Sequence, residues 1–421
     1  MPINLPETSQ KRIVVIGAGF AGLTFLNKVK KLDYQLVLLD RNNYHQFQPL
    51  FYQVAMAGLE PSSISFPVRK AYQGCDNVFI RVAEVERIDP GEKKIYTNMG
   101  YVNYDILILA HGATTNFFGN KELEERTYGL KSVSESLSLR NAILLDYERA
   151  LTERDYETRQ GLIDIVIVGG GPTGVELAGA LAEMKSYILP KDYRELNNQE
   201  VDIYLVQSGD HLLQGMSEKS SKTARNFLEK MGVHVLTGVR VTGYDGAYVS
   251  MNNGAKIRAD KVIWAAGICG NETPGLKEES VGRGRRLIVD RYHRVEGHED
   301  IYAVGDIAYM DEEKFPHGHP QVAQVAIQQA ANLARNFKKK KARPFSYKDK
   351  GSMATIGRNK AVVDLTSFSF TGFMAWIVWL FVHLFALIGV KNKLFVFINW
   401  LWNYFTYDQS LRIILRAKET K

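Results

Sequence analysis

From residue 11 the chain reads KRIVVIGAGFAGLTFLNKVKKL: a short apolar run, a glycine-rich turn, then apolar positions spaced three and four apart. That order predicts a buried strand, a tight turn and a helix, with QLVLLD (35–40) as the next strand. The same pattern restarts at residue 164 as DIVIVGGGPTGVELAGALAEM and continues into VDIYLVQ (201–207). The two glycine motifs begin at Gly17 and Gly169, 152 positions apart, so the chain carries two copies of one βαβ nucleotide unit. Between them RVAEVERIDPGEKKIYT and YVNYDILILAHGA read as strands, and the charge-dense stretch 116–161 as a helical connection. KVIWAAG (261–267), LIVD (287–290) and IYAVGD (301–306) predict further strands, and QVAQVAIQQAANLARNF (321–337) a helix. The expected fold class is α/β with two Rossmann-like domains. The first spans 1–118 and 286–340, the second lies between them at 160–285, and a separate region occupies 341–421.

Composition narrows the classes. At 421 residues, 45% hydrophobic and 24% charged, with mean hydropathy −0.19, the chain fits two or three folded domains. Disorder and a polytopic membrane protein are excluded on the same numbers. Cys75 and Cys269 have no partner in a C-x-x-C spacing, which disfavours a redox disulfide or a cysteine-rich zinc site. Among the nine histidines only His317 and His319 are close, with no third ligand, so no metal is expected. The leading MPINLPETSQ has neither an apolar core nor an Arg/Ser-rich pattern, and no targeting segment is read there. The net charge of +7 is uneven: residues 338–421 carry 15 Lys+Arg against 4 acids, and the rest is net negative. A nucleic-acid groove across the main body is therefore disfavoured, and one basic surface near the end is expected.

In Gly17-Ala18-Gly19-Phe20-Ala21-Gly22 the first glycine permits the turn, Gly19 lets a pyrophosphate reach the backbone, and Gly22 lets helix pack on strand. The pyrophosphate would sit on the free N–H groups of the helix N-terminus. Asp40, 18 residues after Gly22 at the next strand's end, is placed to bind a ribose 2′-hydroxyl. Gly169, Gly171, Pro172, Thr173 and Gly174 repeat the motif, but its strand ends in Gln207 instead of an acid. A neutral amide can serve the hydroxyl and does not repel a 2′-phosphate, so NADH and NADPH both stay open. Two such units hold either two different dinucleotides or one dinucleotide and a structural duplicate. A bound flavin beside an exchanging nicotinamide makes chemical sense, because hydride can pass between them.

These residues carry a resemblance over essentially the whole chain. DRNNYHQFQPLFYQVAMAGL (40–59), YDILILAHGA (104–113), GGGPTGVELAGAL (169–181), IYAVGDIA (301–308) and AQVAIQQA (323–330) resemble the type II, non-proton-pumping NADH:quinone oxidoreductases. QPLFYQVAMAGL, which stands where disulfide reductases carry their cysteine pair, is the most specific block. The resemblance implies non-covalent FAD at the first unit, NADH or NADPH at the second, and a quinone, menaquinone or ubiquinone, as acceptor. It implies that Asp306 contacts the flavin ribityl–phosphate region, that Glu176 lies beside the nicotinamide, and that Gln324 and Gln328 line the quinone end. The remaining expected cofactor contacts are Arg41, Val82, Ala110, Gly112, Ala323 and Gly267. Each has a plainer reading. Asp306 could cap a turn, Glu176 could simply favour its helix N-terminus, and the two glutamines could pair on a solvated face.

FSFTGFMAWIVWLFVHLFALIGV (368–390) and LFVFINWLWNYFTY (394–407) end the chain with Trp376, Trp379, Trp400 and Trp402 and a basic tail. They could span a bilayer once, lie in its interface as helices, or pack into a core or a homodimer contact. The resemblance implies the interfacial arrangement: a monotopic protein on the cytoplasmic face of an inner or plasma membrane, its basic residues drawing anionic headgroups. A reductase of a soluble acceptor such as ferredoxin, a sulfide:quinone reductase and an NADH-sensing flavoprotein are the competing readings. Only the membrane-bound quinone reductases among these need the aromatic tail, and sulfide chemistry needs paired cysteines that this sequence does not offer.

Overall fold

The computed structural model describes residues 1–339, 341–408 and 411–415; the last part of the basic tail, 416–421, lies outside the described residues. The chain forms two compact units, one of residues 1–45, 66–114 and 268–349, the other of residues 46–65, 115–267 and 350–421.

In the first unit five parallel strands lie in the order Ile301–Ala303, Ile106–Leu109, Arg12–Ile16, Gln35–Asp40, Val78–Val82. The inner strands are apolar almost without interruption, as a sheet covered on both faces requires. The helix Phe20–Val29 buries Phe25, Leu26 and Val29 and packs along the helix Ala323–Lys338. The core gathers Val14, Val37, Leu107, Ile301 and Phe345. A three-stranded antiparallel meander, Val85–Asp89, Lys94–Thr97 and Gly100–Asn103, interrupts the parallel order.

The second unit repeats this plan. Its parallel strands run Val233–Thr237, Ile203–Gln207, Ile165–Val168, Lys261–Trp264, and its meander is Val241–Tyr244, Tyr248–Met251 and Lys256–Arg258. In both units the glycine loop leaves the strand where chain order reverses, the place at which open α/β sheets bind ligands. The connecting stretch is helical at Lys121–Arg126, Val133–Ala150 and Tyr156–Ile163. Lys261 and Asp146 form a buried ion pair that ties the longest of these to the sheet.

Beyond residue 350 an antiparallel sheet of Ser352–Gly357, Lys360–Asp364 and Ser369–Thr371 precedes helices Phe373–Ala386 and Val390–Thr406. This sheet is not among the expected elements, and the expected strand 287–290 shortens to Leu287–Ile288. The sheet packs on the helix Pro172–Tyr187 backbone to backbone: a Cβ on Gly179 would lie 1.8 Å from the Ile356 carbonyl oxygen. No helix among the described residues is long and apolar enough to cross a membrane.

Candidate functional site

The first loop is built as its spacing requires. Gly17 adopts φ +103°, and a Cβ there would meet the Ala110 carbonyl oxygen at 2.4 Å. A Cβ on Gly22 would stand 1.9 Å from the Gly17 oxygen, so helix and turn touch through backbone alone. Gly19 is different: its nearest neighbour would be 4.0 Å away. The helix it opens has no side-chain cap, which leaves its first N–H groups for an anion. Asp40 Oδ2 accepts from the Ala18 N–H at 2.6 Å and Oδ1 from the Asn42 N–H at 2.6 Å. Desolvation raises its carboxyl above the usual carboxylate range, against those hydrogen bonds. Val82 pairs with Asp40 across the strands and is half-exposed, while Arg41 is exposed beside it. Gly112, at φ +71°, stands in open space. A Cβ on Gly305 (φ +81°), the residue before Asp306, would lie 3.2 Å from that of Ala21. An open cradle over uncapped N–H groups, flanked by a carboxylate, fits a dinucleotide pyrophosphate and ribose.

The second loop repeats these relations. A Cβ on Gly169 would meet the Ala265 backbone at 2.5 Å, one on Gly174 the Gly169 oxygen at 1.9 Å, and one on Gly171 nothing. Pro172 takes the first helical position, where its missing N–H costs nothing, and Thr173 beside it is exposed. Gln207 Oε1 accepts from the Gly170 N–H at 2.7 Å. Gly267 holds φ +124° at the end of the fourth strand's loop.

Glu176, one turn into that helix, does not face solvent. The Thr355 N–H and the Trp379 Nε1–H both donate to its Oε1 at 3.3 Å, and burial pushes its carboxyl up to about 8. It lines a cavity of about 130 Å³ with Tyr52, Gln53, Glu183, Arg358 and three tryptophans. Trp400 Nε1–H donates to Gln53 Oε1 at 2.8 Å, and Gln53 Nε2 donates to the Tyr52 hydroxyl at 2.8 Å. Arg358 lies over the Tyr407 ring, 3.3 Å from its centroid. Trp379, expected at an interface, is only 1% exposed and belongs to this cavity wall, because its indole N–H has a carboxyl to satisfy.

Ala323 begins the helix that carries Gln324 and Gln328. Gln328 spends both ends of its amide on Lys348: Nε2 donates to the carbonyl at 2.9 Å and Oε1 accepts from the N–H at 3.1 Å. Asp306 presents its carbonyl to Gln321 Nε2 at 3.0 Å. Sequence reasoning missed four side chains. Gln329, fully buried, accepts from the Gly305 N–H at 2.7 Å, and His45 pairs with the Ala18 carbonyl at 2.8 Å. Tyr52 and Gln53 lie within QPLFYQVAMAGL, whose specificity flagged the block without assigning a role.

The family model for pyridine nucleotide-disulphide oxidoreductases matches residues 11–330, and that for the NDH2 C-terminal domain matches 350–406. Type II NADH:quinone oxidoreductase Ndh of Mycobacterium tuberculosis is 35% identical over 413 residues, covering 92% of this chain and 87% of the relative. NDH2 of Plasmodium falciparum in complex with NADH superimposes with a TM-score of 0.88 at 20% identity, over 97% of this chain and 100% of that one. The sulfide:quinone oxidoreductase of Aquifex aeolicus superimposes at 0.73 with 19% identity, covering 94% of this chain and 95% of that one. At such identities the two structures speak for the fold alone.

Proposed function

The chain belongs to the type II NADH:quinone oxidoreductases, and from that premise we infer that it oxidises NADH at the second glycine loop and reduces a quinone through FAD held at the first, without pumping protons. When bound, FAD supplies the chemistry, taking up hydride and giving up two electrons. The chain's own residues bind and orient. The uncapped helix starts at Gly19 and Gly171 take the two pyrophosphates, and Asp40 and Gln207, each bonded to its loop, are assigned to the riboses. Asp306, clamped by Gln321 and held beside Gly305, is assigned to the ribityl–phosphate end of the flavin. Glu176 keeps its proton near neutral pH because of burial and is assigned to the reaction as a group that can give it up. Gln324 and Gln328 are assigned to the quinone end, with Gln328 acting through its hold on Lys348.

The observation that carries this reading is the pair of glycine loops of one construction, each closed at its first and last glycine and open at the middle one. A peripheral membrane position is supported by the apolar side chains that the last two helices expose, among them Phe385, Val390 and Phe405. That surface favours a lipid-soluble quinone, menaquinone or ubiquinone, over a soluble acceptor such as ferredoxin. The test is steady-state NADH oxidation by the detergent-extracted protein with and without a short-chain quinone. A yellow protein whose NADH oxidation rises steeply on adding quinone is expected. A colourless protein, or a rate indifferent to quinone, overturns the assignment.

A further inference from the structure

The two loops are clamped at the same residue by different means. In the second, the Gly170 peptide is held at both ends: its N–H donates to Gln207 Oε1 at 2.7 Å and its carbonyl accepts from the Leu213 N–H at 2.7 Å. In the first, the Ala18 N–H donates to Asp40 Oδ2 at 2.6 Å, and the Ala18 carbonyl lies 2.8 Å from His45 Nδ1. An imidazole takes the place of a backbone amide.

A carbonyl oxygen only accepts, so Nδ1 carries the proton and His45 is the Nδ1–H tautomer. The ring is 2% exposed and meets Phe20 edge-on, with centroids 5.2 Å apart. Its Nε2 is buried and has no partner among the described residues, so the bond to Ala18 is the ring's single polar anchor. The Ala18 carbonyl and the Gly19 N–H belong to one peptide plane. Rotating that plane swings the Gly19 N–H away from the first turn of the helix Phe20–Val29. We propose that His45 is a positioning residue for the first nucleotide site, its Nδ1–H locking the Ala18–Gly19 peptide so that the loop's N–H groups stay convergent on the pyrophosphate of the bound dinucleotide. This rests on the assignment of FAD to the first loop.

The geometry separates the hydrogen bond from the packing of the ring. His45→Asn keeps an N–H donor near the Nδ1 position, His45→Gln moves it toward the Nε2 position, and His45→Leu removes it. In full-length protein in detergent, flavin release after dilution is followed by the rise of free-flavin fluorescence, beside the flavin-to-protein ratio. Losing the bond and stranding a buried carbonyl should speed release about tenfold in His45→Leu and in His45→Gln. His45→Asn should stay within about twofold of wild type, since it restores the donor. NADH affinity, read by quenching of protein fluorescence, should be unchanged in all three, because the second loop is clamped by Gln207 and the Leu213 N–H and not by His45.

Wild-type release rates in both Leu and Gln variants overturn the proposal. So does a His45→Asn variant that loses flavin as fast as His45→Leu, which would make ring packing against Phe20 the relevant contact. If His45→Leu does not fold, the contrast between Asn and Gln decides. A wild-type protein that contains no flavin would instead sink the assignment of FAD to this loop.

Discussion

At the strand end of the second loop, Gln207 gives its oxygen to Gly170, and its amide N–H groups are the donors it could offer a ligand. Those donors suit a 2′-hydroxyl and a 2′-phosphate alike, so wild type should oxidise NADPH as well as NADH. Gln207→Glu keeps the acceptor for Gly170, replaces the donor with a second anionic oxygen and repels the phosphate. The NADH-to-NADPH ratio of kcat/KM should rise about tenfold or more, a charge-assisted hydrogen bond being worth ~1.5–3 kcal/mol. An unchanged ratio would mean that Gln207 serves the loop alone. Glu176 gives a second test at this scale. Its carboxyl titrates at about 8 in the fold against 4.5 when free, so between those values the native state holds a proton that the unfolded chain has released. Stability must then fall as pH rises through that window, by up to about 1.4 kcal/mol per pH unit. Glu176→Gln removes the dependence and keeps the acceptor for Thr355 and Trp379. Melting temperatures measured from pH 5 to 8 should therefore converge or cross in favour of the variant as pH rises. Parallel curves would show that Glu176 is ionised. The burial of Glu176 was not legible in the sequence, because its partners stand 179 and 203 residues away and a helix N-terminus explains a carboxylate there just as well.

The glycine loops are where the sequence was most informative, since backbone contact leaves only one residue type that fits. Their glycines nonetheless separate by role, and that split yields a prediction. Gly22→Ala drives a methyl group to 1.9 Å from the Gly17 oxygen, so the helix must move and the first unit should lose stability. Gly19→Ala meets nothing closer than 4.0 Å, so the protein should fold and melt like flavin-free wild type while flavin content drops sharply. Comparing melting curves with flavin-to-protein ratios tests both; a Gly19→Ala protein with full flavin would show that the pyrophosphate does not approach there. Other elements stayed hidden for physical reasons. Strands 352–371 are short and broken by the turn at Arg358 and Asn359, and what fixes them is packing against Gly179, far off in sequence. The segment 46–65, which contains the most specific sequence block, is expected in the first domain from chain order. It gathers instead with the second unit, where Trp400 and Asn403 bind Gln53 and the Gly58 carbonyl.

On the scale of the whole molecule, the C-terminal helices do two things at once, and a test of membrane attachment must not confuse them. One face is part of the second unit: Trp379 bonds Glu176, Trp400 bonds Gln53, and Asn392 Nδ2 donates to the carbonyls of Ser62, Ser63 and Ser65. Deleting everything from Phe368 would strip these partners and leave Glu176 without its indole donor. Loss of membrane binding could then not be told from loss of fold. The opposite face is exposed and apolar, with Phe385 69%, Val390 84% and Phe405 74% accessible. Lys391 and Lys393 sit among these residues, each over a phenylalanine ring, so cations flank the apolar surface as they do in interfacial helices. Replacing Phe385, Val390 and Phe405 with serine should leave melting temperature and single-turnover NADH bleaching of the flavin at wild-type values. Binding to vesicles that contain anionic phospholipid should weaken by about 100-fold or more, at ~1.5–3 kcal/mol for each large apolar side chain fully buried in the acyl region. Added salt should weaken what remains, because about 1 kcal/mol comes from each basic residue near an anionic surface and is screened within a Debye length. Reduction of a long-tailed quinone should fall with vesicle binding, whereas reduction of a short-chain, water-soluble quinone should not. If the triple variant still sediments with vesicles at full yield in high salt, these helices are not the anchor, and their exposed face must be covered by something other than lipid.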